Sequence, residues 1–216
     1  MGTVLRCVAT TVALYLWLPS ACSGQSVESA AYQYAEQFFA QYSKKHRELE
    51  HGAIAQPYST LLIGYKDILA ATDAKQLLSV VPVLVYEFPI VVDGGLKRVI
   101  GVRTDPSTGM LYDDPWMGIG THSVSLADST VFRLSQKMRL RKIIRFHLDD
   151  TGRSLIVLIN ERGDTLITPC ELDGARIIGA KANSSGEYPL MSLNEAMPLL
   201  KAYAETTRGN YERWRK

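Results

Sequence analysis

Between positions 104 and 127 the chain gathers side chains from which chemistry can be built: Asp113, Asp114, His122, Ser123 and Ser125. A serine hydroxyl becomes a nucleophile when an imidazole takes its proton, and a carboxylate can orient that imidazole. No nucleophile elbow and no phosphate-cradling glycine pattern accompanies these residues, and an Asp before Pro115 is also ordinary turn chemistry. An envelope hydrolase using this loop is therefore the second reading. The first is contact without catalysis, because Tyr112, Trp116 and Met117 are the residue types that supply most binding energy at partner surfaces. The plain alternative is that Trp116 plugs the core. His46 and Glu50 are spaced to share one helical face, with Glu48 and His51 nearby, but no third and fourth ligand follows, so they read as a solvated helix end. No metal or cofactor is expected.

The second feature is a cationic stripe. Lys137, Arg139, Arg141, Arg145 and His147 alternate with Met138, Leu140, Ile144, Phe146 and Leu148, with Ile143 and Lys142 as the exceptions. This is the period of a half-buried strand. Side chains two apart stand roughly 7 Å from each other, so Arg139, Arg141, Arg145 and His147 predict a positive ridge of about 25 Å. Such a ridge suits an acidic protein patch or an anionic envelope ligand such as a lipid headgroup or acidic polysaccharide. The competing account is that the charges guard an edge or pair with neighbours.

The elements that would hold these groups follow from pattern. A helix is predicted over 27–49, on Val27, Ala31, Tyr34, Phe38 and Tyr42, stopping at Gly52. The segment 61–65 is apolar without a decisive period. Asp73 predicts an N-cap for a helix over 74–80, and Pro82 closes it. A hairpin follows: Leu84, Tyr86, Phe88, Ile90 and Val92 share one face, Asp93, Gly94 and Gly95 turn, and 96–103 returns. Pro89 favours an edge or a bulge there. The stretch 104–127 reads as a long loop. One or two helical turns over 129–136 lead into a meander over 137–169, a further strand is expected over 175–180, and a helix over 198–208. Helix, strand, turn and strand recur near 74–103 and 129–160, which suggests a weak internal repeat. The run into Thr104, Asp105, Thr108 and Gly109 resembles part of PepSY modules, small exported helix-plus-sheet units; the likeness spans these residues alone, and no property is taken from it.

Composition and the N-terminus give the address. The 216-residue chain is 46% hydrophobic with a net charge of +2, enough for one sizeable core and too little charge for a global affinity for nucleic acid. Arg6 precedes an apolar run over 7–18, closed by Pro19, Ser20, Ala21 and Cys22. Such a run is too short to span a bilayer and reads as an export signal over 1–21. Ala21, Cys22, Ser23 and Gly24 resemble the lipobox of bacterial lipoproteins, which implies lipidation at Cys22; Pro19 departs from that pattern. Ordinary signal cleavage is the alternative, and it would leave Cys22 able to pair with Cys170.

The sequence thus predicts a cleaved leader, a short tether over 22–26, and one α+β domain over 27–216. Its core would be an antiparallel meander of about five to seven strands, packed by an N-terminal and a C-terminal helix. The expected function is a lipid-anchored periplasmic envelope protein that binds a protein partner or anionic envelope ligand, in one version as an inhibitor or immunity protein. Arg139, Arg141, Arg145, His147, Tyr112, Trp116 and Met117 are the expected contact residues, with no nucleic acid involved.

Overall fold

A computed structural model describes residues 26–105, 107–112, 118–148 and 153–214. The leader with Cys22, and also Asp113, Asp114, Trp116 and Met117, lie outside the described residues. Helix α1 (Val27–Tyr42) is followed by strands β1 (Ala53–Ile54) and β2 (Tyr58–Ile63), then by helices α2 (Tyr65–Ala70) and α3 (Ala74–Val80). Strands β3 (Val83–Val92), β4 (Gly95–Arg103) and β5 (Ile119–His122) precede helix α4 (Leu126–Lys137). Next come β6 (Leu140–Leu148), β7 (Arg153–Asn160), β8 (Thr165–Pro169), the short helix α5 (Leu172–Ile177), β9 (Met191–Ser192) and helix α6 (Leu193–Trp214).

The protein is α+β, with a nine-stranded, mostly antiparallel sheet in the order β5-β4-β3-β2-β6-β7-β8-β9, and β1 pairs with β3 beyond the end of β2. That exceeds the five to seven strands expected. The additions are short: β1 and β9 have two residues each and β5 has four, too few to leave an alternation in sequence. The sheet is also not one meander, because β2 and β6 pair in parallel at its centre. Pro89 lies where pairing on that side passes from β2 to β1, and its carbonyl accepts from Ala55 N at 2.8 Å. Its missing amide therefore falls in the gap between two partners.

Alternation assigns the two faces. Leu61 and Ile63 of β2, Phe88 and Ile90 of β3, Ile144, Phe146 and Leu148 of β6, and Leu155 and Val157 of β7 all point to one side. There α1 covers β3 and β4 through Ala31 and Ala35, while α2, α3 and α6 cover β2, β6 and β7. The opposite face carries Ile143, Ile156 and Leu158, packed against Ala127 and Val131 of α4. Among the described residues α4 is the one helix on that side, and it sits over β6 and β7. On β3, β4 and β5 the same face is open around Val85, Gly101, Arg103 and Gly120, and this opening is left for the site.

Local departures from the sequence reading have local causes. The first helix ends at Tyr42, and the charged stretch after it forms two single turns of 3-10 helix, Ser43–Lys45 and Arg47–Leu49, that bury only Leu49. Asp73 caps α3 as predicted, accepting from Gln76 N at 2.8 Å. The strand expected over 175–180 is instead the end of helix α5, whose Gly174 packs so tightly that a Cβ there would stand 2.9 Å from the Ser154 carbonyl oxygen. Helix α6 runs unbroken through Pro198. Proline forfeits one intrahelical bond, but Leu193, Ala196, Met197, Leu200 and Ala204 are all buried in the core and hold the segment.

Candidate ligand-binding trough

The first turn of α4 builds the site. Ser125 is its N-cap: its Oγ accepts from Asp128 N at 3.2 Å, and Asp128 Oδ2 accepts from Ser125 N at 2.6 Å. This reciprocal pair satisfies two amides that a helix start leaves free. It also locks the Asp128 carboxylate, fully buried, against the sheet. Across the interface Tyr58 of β2 donates its hydroxyl to Asp128 Oδ1, and Arg145 Nη1 of β6 lies 3.8 Å from the same oxygen. Arg145 is itself held by Nε donating to Ser154 Oγ at 3.1 Å.

His122, the last residue of β5, reaches this cluster from the open side. Its Nε2 stands 3.5 Å from Asp128 Oδ2 and 3.8 Å from Glu87 Oε2. Glu87 comes from the middle of β3 and is 5% exposed. Its Oε1 takes a long hydrogen bond from Thr60 Oγ1 at 3.4 Å, while Oε2 has no hydrogen-bond partner among the described residues.

Glu87 also lines a cavity of about 360 Å³, together with Val85, Gly101, Arg103, Gly120 and His122, and its Oε2 is buried beneath it. The cavity exists because two strand positions lack side chains. Gly101 and Gly120 are direct partners across β4 and β5, on the same face as Glu87. A Cβ on Gly101 would stand 3.6 Å from Glu87 Oε2, and one on Gly120 would meet nothing within 4 Å. Tyr112 packs on Gly118, another lining residue, where a Cβ would come within 2.9 Å of its ring.

The electrostatics follow from these contacts. Burial alone would raise the Asp128 carboxyl, but the bonds from His122, Tyr58 and Ser125 outweigh it and hold the group far below the usual carboxylate range. Burial pushes Glu87 the other way, upward, with His122 only partly opposing. The Asp128 carboxylate raises His122 above an ordinary histidine, against the effect of its partial burial. Burial also raises Tyr58, so its hydroxyl stays protonated and donating. Asp128 is thus a fixed counter-ion with no reach to solvent, and Glu87 and His122 are the groups that can meet a ligand. Both carboxylates approach the same imidazole nitrogen, so the imidazole occupies the centre, and no set of three His, Cys, Asp or Glu side chains that could hold a metal occurs among the described residues.

The residues singled out in sequence scatter. Lys137 belongs to α4 and its Nζ bonds Glu187 at 2.8 Å. Arg139 and Arg141 are exposed, but the register slips between Leu140 and Lys142, and Arg141 lines a separate groove with Asp73, Lys75 and Ile159. Arg145 turns into the Asp128 cluster with 19% of its side chain exposed, and His147 is half-buried opposite Ser154. The continuous outer ridge expected from alternation therefore does not form: α4 covers its middle and a bulge divides its start. In the loop, His122 lines the trough and Tyr112 packs on Gly118 of its lining. Ser123 Oγ accepts from Arg98 Nη1 at 3.3 Å and Ser125 caps α4.

Tyr58, Glu87, Asp128 and the two glycines were not anticipated. Two signals were available: Glu87 is the single charged residue within Val83–Val92, and Asp128 stands at capping spacing from Ser125. Comparison of the chain with protein-family models, with curated proteins and with solved structures finds no match.

Proposed function

We propose that the chain is an exported cell-envelope protein, lipid-anchored at Cys22 and held in the bacterial periplasm, that binds a macromolecular partner without catalysis. An inhibitor or immunity protein acting against an envelope enzyme is the specific form of this reading. The leader and the lipobox-like Ala21, Cys22, Ser23 and Gly24 support the address. The observation that carries the binding reading is the open cavity over β3, β4 and β5, with a buried Glu87 oxygen that no hydrogen bond satisfies at its floor. Leaving a buried acceptor without a donor costs about 1–3 kcal/mol, a cost that a partner's donor would offset. Tyr112, partly exposed, packs on Gly118 of the cavity lining and supplies apolar contact beside it.

Affinity capture with the mature protein from its own envelope fraction tests this reading. One partner should be retained by the native chain and by a variant reversing Arg139 and Arg141, and lost on Gly120→Val, which fills the trough. Capture that is indifferent to Gly120→Val removes the trough as the docking surface. Arg145 is unsuited to such a test because its loss would strand Asp128 in the interior.

A hydrolase is the second reading, favoured by one contact: Asp128 beside His122 is how a carboxylate orients a general base. Against it, both nearby serine hydroxyls are engaged elsewhere. Turnover of envelope polymers or model esters that disappears on His122→Ala would favour this reading over the first.

A further inference from the structure

The geometry points to a site for an organic cation, an ammonium or guanidinium, seated over Gly101 and Gly120 with its N–H groups on Oε2 of Glu87. The inference rests on the reading of the trough as the binding surface, and names what it holds. That oxygen lies buried just beneath the slot floor: the position a Gly101 Cβ would fill is 3.3 Å from Val85 Cγ1 and 3.6 Å from Oε2, and the facing Gly120 leaves the volume above it open to solvent. A slim, multiply donating group is what such a slot admits.

Charge balance selects a cation over a neutral donor. The two buried carboxylates of the cluster, Glu87 and Asp128, are faced by one permanent cation, Arg145, which stands by Asp128. Glu87 has only Thr60 and, at 3.8 Å, the half-exposed His122. Without ligand its charge is balanced by one proton, carried on Glu87 itself or on His122. A ligand cation does the same work, so the two compete: the cation enters as the proton leaves. The charged and titratable groups around His122 are Glu87 of β3, Asp128 of α4 and Arg145 of β6, with Tyr58 of β2 behind Asp128, while Arg103 of β4 lines the same cavity further along the strand. Arg103 is exposed at the rim, where solvent screens it.

The cation has two sources, a Lys or Arg side chain presented by the partner or a free amine. Calorimetric titration of the mature chain with end-blocked Gly-Lys-Gly and Gly-Arg-Gly peptides, and with cadaverine, separates them. Saturable binding is expected, tightening up to tenfold for each unit that pH rises toward the titration of the pair and levelling off above it, with proton release seen as dependence of the heat on buffer. Glu87→Gln and Gly120→Val, with unchanged circular dichroism, should each weaken it at least tenfold. Tighter binding of the peptides assigns the site to a partner side chain, and tighter binding of cadaverine assigns it to a free amine. No binding of any probe at millimolar concentration, or binding untouched by Glu87→Gln, overturns the proposal. Partner capture lost on Gly120→Val while all probes fail would sink the cation and keep the docking surface. Probe binding with capture unaffected would do the reverse.

Discussion

The Tyr58 hydroxyl donates to Asp128 Oδ1, tying the central strand β2 to the first turn of α4 across a sequence separation of 70 residues. A hydrogen bond to a buried charge contributes about 1.5–3 kcal/mol. Tyr58→Phe, which removes only the oxygen, should lower unfolding free energy by about that amount, read from urea midpoints at neutral pH. A loss under 0.5 kcal/mol would mean that water replaces the hydroxyl.

Asp128 sets an acid limit on the same link. Its native pKa is depressed, so above the unfolded value, about 3.9, both states are ionised and the group contributes its full stability, while between the native and unfolded values the native state holds fewer protons than the unfolded chain. That contribution is lost as pH falls from about 5 toward the native pKa. Asp128→Asn should be least harmful, relative to the native protein, at the lowest pH where both still fold.

Glu87 behaves with the opposite sign. Its native pKa is raised, so stability falls as pH rises from the unfolded value of about 4.3 through the native one. Glu87→Gln removes that slope and should leave the protein equally stable or more stable at pH 8, a pattern expected of a group kept for binding rather than for folding. Marked destabilisation by Glu87→Gln at pH 8 would assign it a structural role. His122, also raised, adds stability below about pH 6.5 that is lost as pH rises through its native pKa, and His122→Ala should flatten that part of the curve.

Two glycines on different surfaces should answer differently to a methyl group. Gly174→Ala would drive a Cβ to 2.9 Å from the Ser154 carbonyl oxygen, and should cost about 1–3 kcal/mol by overpacking. Gly120→Ala meets nothing within 4 Å and should be neutral or slightly stabilising. Thermal melts of the two variants side by side check both expectations.

Cys170 is 7% exposed, donates Sγ–H to the Ser154 carbonyl at 3.2 Å, and has its thiol pushed up to about 11, chiefly by burial. It should react with a maleimide only as fast as the fold opens. Rapid labelling of the folded protein would contradict this burial.

What the sequence disclosed, and what it hid, divides by the range of the interactions involved. The hairpin of β3 and β4 was legible because its alternation and its Asp93, Gly94, Gly95 turn are local, and α3 because Asp73 caps it from the adjacent residue. The strand expected over 175–180 failed because Ile177 and Ile178 favour strands by type, while their burial beside α6 is decided by packing. The cationic alternation failed for a related reason. Its period ran on through the end of α4, a connector, a register slip and β6, and nothing local marks where those boundaries fall. The site combines one residue visible from chemistry, His122, with partners from β2, β3, α4 and β6 that only the fold brings together.

The parallel seam of β2 with β6 joins segments more than eighty positions apart, Ser59 facing Ile144 through Ile63 facing Leu148. Each hairpin can zip by itself, but neither can bury its inner edge until the other arrives, so assembly must wait on the slow meeting of distant stretches of chain. A nick between the two hairpins should therefore yield fragments that are at best marginally ordered alone yet reconstitute one another on mixing.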